Sequence, residues 1–191
     1  MESKKLDLKR YTDGTPSVLR KPTVYQALHF YRKSEVLVQL TKSFCARFLP
    51  KYGDRTVDQM VQAARSIKQN IAEGCTDGQT SAETELKLLG IARGSNQELL
   101  EDYRDYLIHH RIAEWATNNK QRFDRLRKFA KEHSDVADYM PYFDRWTDEE
   151  MANCAICLCH MVDKAMCTFI ARRDREFVEH GGIRERMATA A

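Results

Sequence analysis

The stretch from Arg65 to Leu100 constrains the fold more than any other part of the chain. Its first half, ARSIKQNIAEG, completes a pattern in which Val57, Met60, Val61, Ala64, Ile67 and Ile71 recur at steps of three and four. That spacing puts them on one face of a helix. Gly74 follows directly, where a left-handed residue would end the helix without a Cβ clash. After a polar turn at 75–82, Leu86, Leu89, Ala92, Asn96, Leu99, Tyr103 and Tyr106 resume the same period. Gly90 and Gly94 sit one turn apart inside this second helix. Each costs roughly 1 kcal/mol of helix stability relative to alanine, so the pattern predicts a neighbouring helix in close approach. On that reading Gly94→Leu overpacks the contact and abolishes folding or assembly. The stretch specifies helices and no reaction.

The flanking segments extend the pattern. Residues 1–22 read as an irregular basic arm with Asp13-Gly14 and two prolines. Thr23 is the expected N-cap of a first helix reaching Phe48, with Tyr25, Leu28, Tyr31, Val36, Leu40 and Phe44 apolar. Pro50 and Gly53 break the chain, and Asp54 or Thr56 caps the second helix. Ser81, backed by Glu83 and Glu85, starts a third helix to about His110. Between Ile112 and Thr147, NNKQRFDRLRKFAKEH suits a solvent-facing helix with Phe123, Leu126 and Phe129 as apolar spacers. SDVADYMPYFDRW reads as a loop or short turns around Pro141. Thr147 followed by three acidic residues starts the fourth helix, through Met151, Ala155, Leu158, Val162, Ala165 and Phe169. The expected fold is all-α: an up-and-down four-helix bundle over 23–175 with a helical insertion at about 112–146. The arm 1–22 and a tail 176–191 are terminal extensions.

AARSIKQNIAEG followed by ARGSNQEL resembles the family of four-helix-bundle proteins encoded in intervening sequences of 23S ribosomal RNA genes, which is related to accessory proteins of diversity-generating retroelements. The matching positions are Ala63, Ala64, Ser66, Ile67, Asn70, Ile71, Ala72, Glu73 and Gly74, then Ala92, Gly94, Ser95, Glu98 and Leu99. Lys68 stands where the family often has proline, and Cys75 where it commonly has an aromatic residue. The C-terminal section resembles the suffix of an extended subgroup. The resemblance implies a bundle assembled as a pentameric ring, without catalytic residues or cofactor, and with a nucleic-acid role. It also places Asn70 and Glu73 beside the interhelical turn.

Hydrophobic residues make up 42% and charged residues 31% of the chain, which fits a helical globular domain. No run approaches the roughly 18 apolar residues that cross a bilayer. The N-terminus carries charge without an apolar core, so it is no secretory signal. With six cysteines read as reduced thiols, the expected location is cytoplasmic. Net charge is +3, unevenly spread: residues 1–55 hold 12 Lys/Arg against 5 Asp/Glu, and residues 56–115 hold 6 against 10. Such asymmetry marks a polyanion-binding face or serves solubility.

Cys154, Cys157, Cys159 and His160 invite a metal reading. One helix cannot wrap a tetrahedral ion with these spacings and no second ligand pair is present, so they read as small core residues. His109, His110 and His133 have no nucleophile beside them. The carboxylates at 98–105 lack a Glu-x-x-His motif and read as a solvated flank paired with Arg104. Asn70 and Glu73 read as bonding the helix end or each other across the turn, with Ser95 and Asn96 near the apolar stripe. Leu88, Ile91 and Leu100 lie off the main stripe of the third helix, which predicts burial on two sides and self-association into a closed ring.

The cations off the stripes are Arg55, Arg65 and Lys68 on the second helix, Lys87 and Arg93 on the third, and Lys4, Lys5, Lys9 and Arg10 on the arm. These are the candidate phosphate contacts. Aromatic residues for stacking bases are not grouped with them in sequence. The leading reading is a non-enzymatic oligomer binding RNA or a nucleoprotein. The alternative is a structural adaptor whose partner is a protein.

Overall fold

The computed structural model describes residues 23–50, 55–78 and 80–181. Among these the chain forms a 3-10 turn, Tyr25–Ala27, and seven α-helices: α1 His29–Phe48, α2 Arg55–Asp77, α3 Ala82–His110, α4 Trp115–Asn118, α5 Lys120–Glu132, α6 Val136–Phe143 and α7 Asp148–His180. Lys4, Lys5, Lys9 and Arg10, with the rest of the arm and the tail beyond Gly181, lie outside the described residues.

Apolar stripes on α1, α2, α3 and α7 can be buried together only by packing each helix on the next, and α7 returns to α1 to close the square. Directions alternate. Phe44, late in α1, meets Tyr103 and Tyr106, late in α3, at ring-centroid distances of 5.0 and 4.8 Å. Phe169, late in α7, meets Phe30 at the start of α1 at 5.4 Å. The fold is the expected up-and-down four-helix bundle, and α4–α6 fill the crossover from α3 to α7. Leu37, Leu40, Phe44, Ile67, Leu89, Leu99, Tyr103 and Met151 are fully buried at its centre.

Two helix starts follow local chemistry as read. The Ser81 hydroxyl accepts from the Thr84 amide at 3.1 Å. Thr147 and Glu150 cap each other, the hydroxyl accepting at 3.2 Å and the carboxylate at 2.9 Å. Arg111 ends α3 in the left-handed region with φ 56°, and Ile112 N–H donates back to the Leu107 carbonyl at 2.9 Å. That closure is the usual work of glycine.

Several expectations are overturned. Thr23 caps no helix: α1 starts at His29 after the 3-10 turn, and the Thr23 hydroxyl accepts from Arg173 instead. Gly74 does not end α2, which continues to Asp77. It is buried where α3 crosses, and a Cβ there would lie 3.3 Å from both the Glu85 carbonyl and Leu88 Cβ. Gly90 and Gly94 show the reverse, with nothing within 4 Å of either position. Within the chain the close approach is at Gly74 and not at Gly90 or Gly94, and Gly94→Leu meets no neighbour in the folded chain. Of the residues off the α3 stripe, Leu100 is buried and Leu88 half-buried while Ile91 is 45% exposed, so one chain alone covers the second side of α3 only in part. Residues 136–143 form α6 despite Pro141, because Tyr139 and Phe143 bury themselves under it. Helix α7 reaches His180 before Gly181, the continuation through ARRDREFVEH that the sequence allows.

Against the expectation that no run approaches bilayer-crossing length, α7 contains an 18-residue stretch, of mean hydropathy 1.5, able to cross a membrane by length and hydropathy alone. Half of that stretch is buried inside the protein. A central bundle helix packed against both α1 and α3 is apolar for this reason.

Candidate nucleic-acid interface

The polar residues of the motif join helices. Asn70 donates to the Ser66 carbonyl and hydroxyl at 2.9 and 3.1 Å, and the Ser95 hydroxyl donates to that of Ser66 at 2.8 Å. This relay ties the middle of α2 to α3, away from the helix end where Asn70 was expected to act. Glu73 is exposed, and Gly94 is open to solvent. Asn96 donates to the Cys159 carbonyl at 3.0 Å, linking α3 to α7.

Buried ionisable groups serve the same purpose. Cys154, Cys157 and Cys159 lie in the core, and burial pushes their thiols up, Cys157 to about 11. They are protonated at neutral pH and poor as nucleophiles or ligands. Among the described residues no group of three His, Cys, Asp or Glu side chains converges on a metal position. Glu85 meets Arg173 at 3.0 Å. The buried ammonium of Lys33 donates to the carbonyls of Ala130 and His133 and to Ser134, which closes the C-terminal end of α5 against α1. Arg104 pairs with Glu101 and Glu114 at 3.2 and 3.3 Å, as the carboxylate run suggested. His110 stacks on Tyr106 at 4.0 Å.

The cations read from sequence do not form one patch. Lys68, half-buried, shares a groove with Lys42, Glu35 and Met140 between α1, α2 and α6. Arg65 is exposed one turn before it, and Arg55 is exposed at the start of α2. Lys87 is exposed on α3. Arg93 is already committed to Asp163 of α7 at 2.8 Å. Further along α3, Glu98, Asp102 and Asp105 stand on the outward side, and burial, Asp105 and Glu98 raise the Asp102 carboxyl to about 6. A cleft of about 770 Å³ at this end takes Asp102 and Asp105 into its wall beside Arg47, Met60 and His109. Its carboxylates repel phosphate.

A stronger cationic surface lies elsewhere. Helix α5 carries Lys120, Arg122, Arg125, Arg127, Lys128 and Lys131 against Asp124 and Glu132. Its apolar side, Phe123, Leu126 and Ala130, packs inward and turns the charges out. Arg122 pairs with Glu149 at 3.5 Å and lies 5.2 Å from the Trp115 ring. Lys120, Arg125, Arg127, Lys128 and Lys131 are exposed and form no ion pair among the described residues. Six cations in 13 residues were countable in sequence. Their aromatic neighbours were not, because α4 and the α6–α7 connection supply them. A cleft of about 390 Å³ beside α5 is lined by Trp115, Arg122, Arg125, Leu126, Phe129, Trp146 and Glu150.

A family model described as 23S rRNA-intervening sequence protein matches residues 26–134, from the 3-10 turn through α5. No curated protein and no solved structure matches the chain.

Proposed function

We propose that this protein, which belongs to the 23S rRNA-intervening sequence protein family, is a non-enzymatic, self-associating helical scaffold that holds RNA or a nucleoprotein through a basic surface centred on α5. The observation that carries the reading is the row of five exposed α5 cations with no carboxylate partner among the described residues. Charges left without partners on a folded surface attract a polyanion and release its counterions on binding. Arg55, Arg65, Lys68, Lys87 and the arm cations add long-range attraction, while Arg93 is held by Asp163. The buried titratable groups described above hold helices together, which supports a binding role over a catalytic one.

Self-association, as a pentameric ring on the family pattern, would use the outward side of α3. Gly90, Ile91 and Gly94 are exposed there, and the absence of Cβ atoms at the glycines leaves room for another copy. Gly94→Leu then separates folding from assembly: melting stays native while the native mass falls to that of one chain.

Fluorescence anisotropy with structured RNA, single-stranded RNA and duplex DNA, at low and near-physiological salt, tests the polyanion reading. Affinity should fall steeply with salt, and Arg125→Gln/Lys128→Gln/Lys131→Gln should reduce the log–log slope by about 2 to 3. No binding even at low salt would sink the reading and leave a protein-binding adaptor.

A further inference from the structure

The cleft beside α5 combines features that duplex binding does not require. Trp146 is half-buried on its rim, with Tyr142 stacked on it at 5.0 Å and 22° between planes. Phe129 packs edge-on against Trp146 at 6.2 Å and Tyr142 at 5.5 Å, fixing both rings. Arg125, exposed on the same cleft, has Lys128 one turn along α5. Glu150 also lines the cleft, its carboxylate already accepting from the Thr147 amide at 2.9 Å, and Glu149 borders it, accepting from the Trp115 indole at 2.6 Å and paired with Arg122 at 3.5 Å. Cations and aromatic rings on one cleft divide a nucleotide between them. The phosphate is kept outside on Arg125 and Lys128, and the uncharged base is admitted to the rings.

We propose that this cleft binds an unpaired nucleobase of a single-stranded nucleic acid, stacked against Trp146, with the flanking phosphates on Arg125 and Lys128. The inference rests on the reading of α5 as a polyanion surface and adds a preference for single strands. A duplex keeps its bases stacked on one another and presents only phosphates, so it uses the cations and leaves the rings idle. A base on an aromatic platform contributes about 1–3 kcal/mol in single-strand binders. A cleft of about 390 Å³ falls within the usual size of small-ligand pockets.

The full chain would be titrated with a fluorescein-labelled oligouridylate of about 12 nucleotides, a length within common single-strand site sizes, and with a matched-length RNA duplex at near-physiological salt. The oligouridylate should bind more tightly. Trp146→Leu should weaken it about 10-fold while duplex binding stays unchanged, and Trp146→Phe, which keeps a ring, should recover most of the loss. Arg125→Gln/Lys128→Gln should weaken both probes. Tyr142→Ser, made at an exposed position, should also lower single-strand affinity and guards against a Trp146 variant that unfolds. Equal affinity for both probes, or native melting with unchanged oligouridylate binding in Trp146→Leu and Tyr142→Ser, would overturn stacking and leave the charge reading standing. Failure of both probes, with the titration repeated at low salt, would overturn both.

Discussion

Glu85, with no exposed side-chain surface on α3, receives Arg173 of α7 at 3.0 Å, and Arg173 also donates to Glu176 at 2.9 Å and to Thr23. One guanidinium thus joins the start of α3, the end of α7 and the segment entering α1. Removing one partner of a buried pair costs about 3–5 kcal/mol because the other charge stays behind. Arg173→Met should destabilise by about 3 kcal/mol. Glu85→Gln should cost less, since Glu176 still faces the arginine. Gly78→Ala should resemble Arg173→Met, because a Cβ there would fall 2.5 Å from the Glu85 carboxylate carbon. Urea denaturation orders the three, and a Gly78→Ala variant of native stability would show that the carboxylate can move aside.

Gly74 and Gly94 make an internal control. Both lie inside helices, so alanine gains roughly 1 kcal/mol of helix propensity at either. Within one chain nothing opposes the gain at Gly94, and the dissociated chain carrying Gly94→Ala should be more stable by about that amount. At Gly74 the new Cβ would meet the Glu85 carbonyl at 3.3 Å, a backbone atom that yields little. Gly74→Ala should therefore be neutral or about 1 kcal/mol less stable. Equal stabilisation in both variants would show that α2 and α3 separate without cost.

Lys33 should control how firmly the insertion sits on the bundle. Its ammonium donates to the Ala130 carbonyl near the end of α5 and, beside the Tyr139 hydroxyl, to that of His133, and hydrogen bonds to a charged group contribute about 1.5–3 kcal/mol. Lys33→Met should destabilise by about 2 kcal/mol and speed amide exchange around residues 130–134. Unchanged exchange there would assign the anchoring to the Arg32–Asp135 pair instead.

Sequence disclosed what is decided within a few residues of itself. Ser81 and Thr147 announced their helices because a cap is a contact across three residues. Gly74 and Gly94 exchanged roles because a glycine in a helical pattern can mark a stop, a close crossing or an open face, and only the neighbouring helix decides. Glu85 read as a first-turn acid, since its arginine lies 88 residues further on. Pro141 argued for a loop, and the burial of Tyr139 and Phe143 overrode it. The α5 cations were visible as a count. Their meaning came from Trp146, carried beside them by a chain reversal that no periodicity records.

Asp102 should make stability depend on pH in the mildly acidic range. Burial, then Asp105 and Glu98, raise its folded carboxyl from 3.8 to about 6. The folded state therefore binds the proton more tightly than the unfolded chain does. The stability this contributes is fully present below about pH 3.8 and is lost as pH rises through about 6. Asp102 is partly exposed, and solvent screening holds the effect to about 1 kcal/mol. Asp102→Asn, which keeps the shape and removes the charge, should melt roughly 2–4 °C higher than the parent at pH 7.5. The difference should vanish near pH 4, where the parent is itself neutral. A gap that is the same at both pH values would mean that packing, not titration, separates the two proteins.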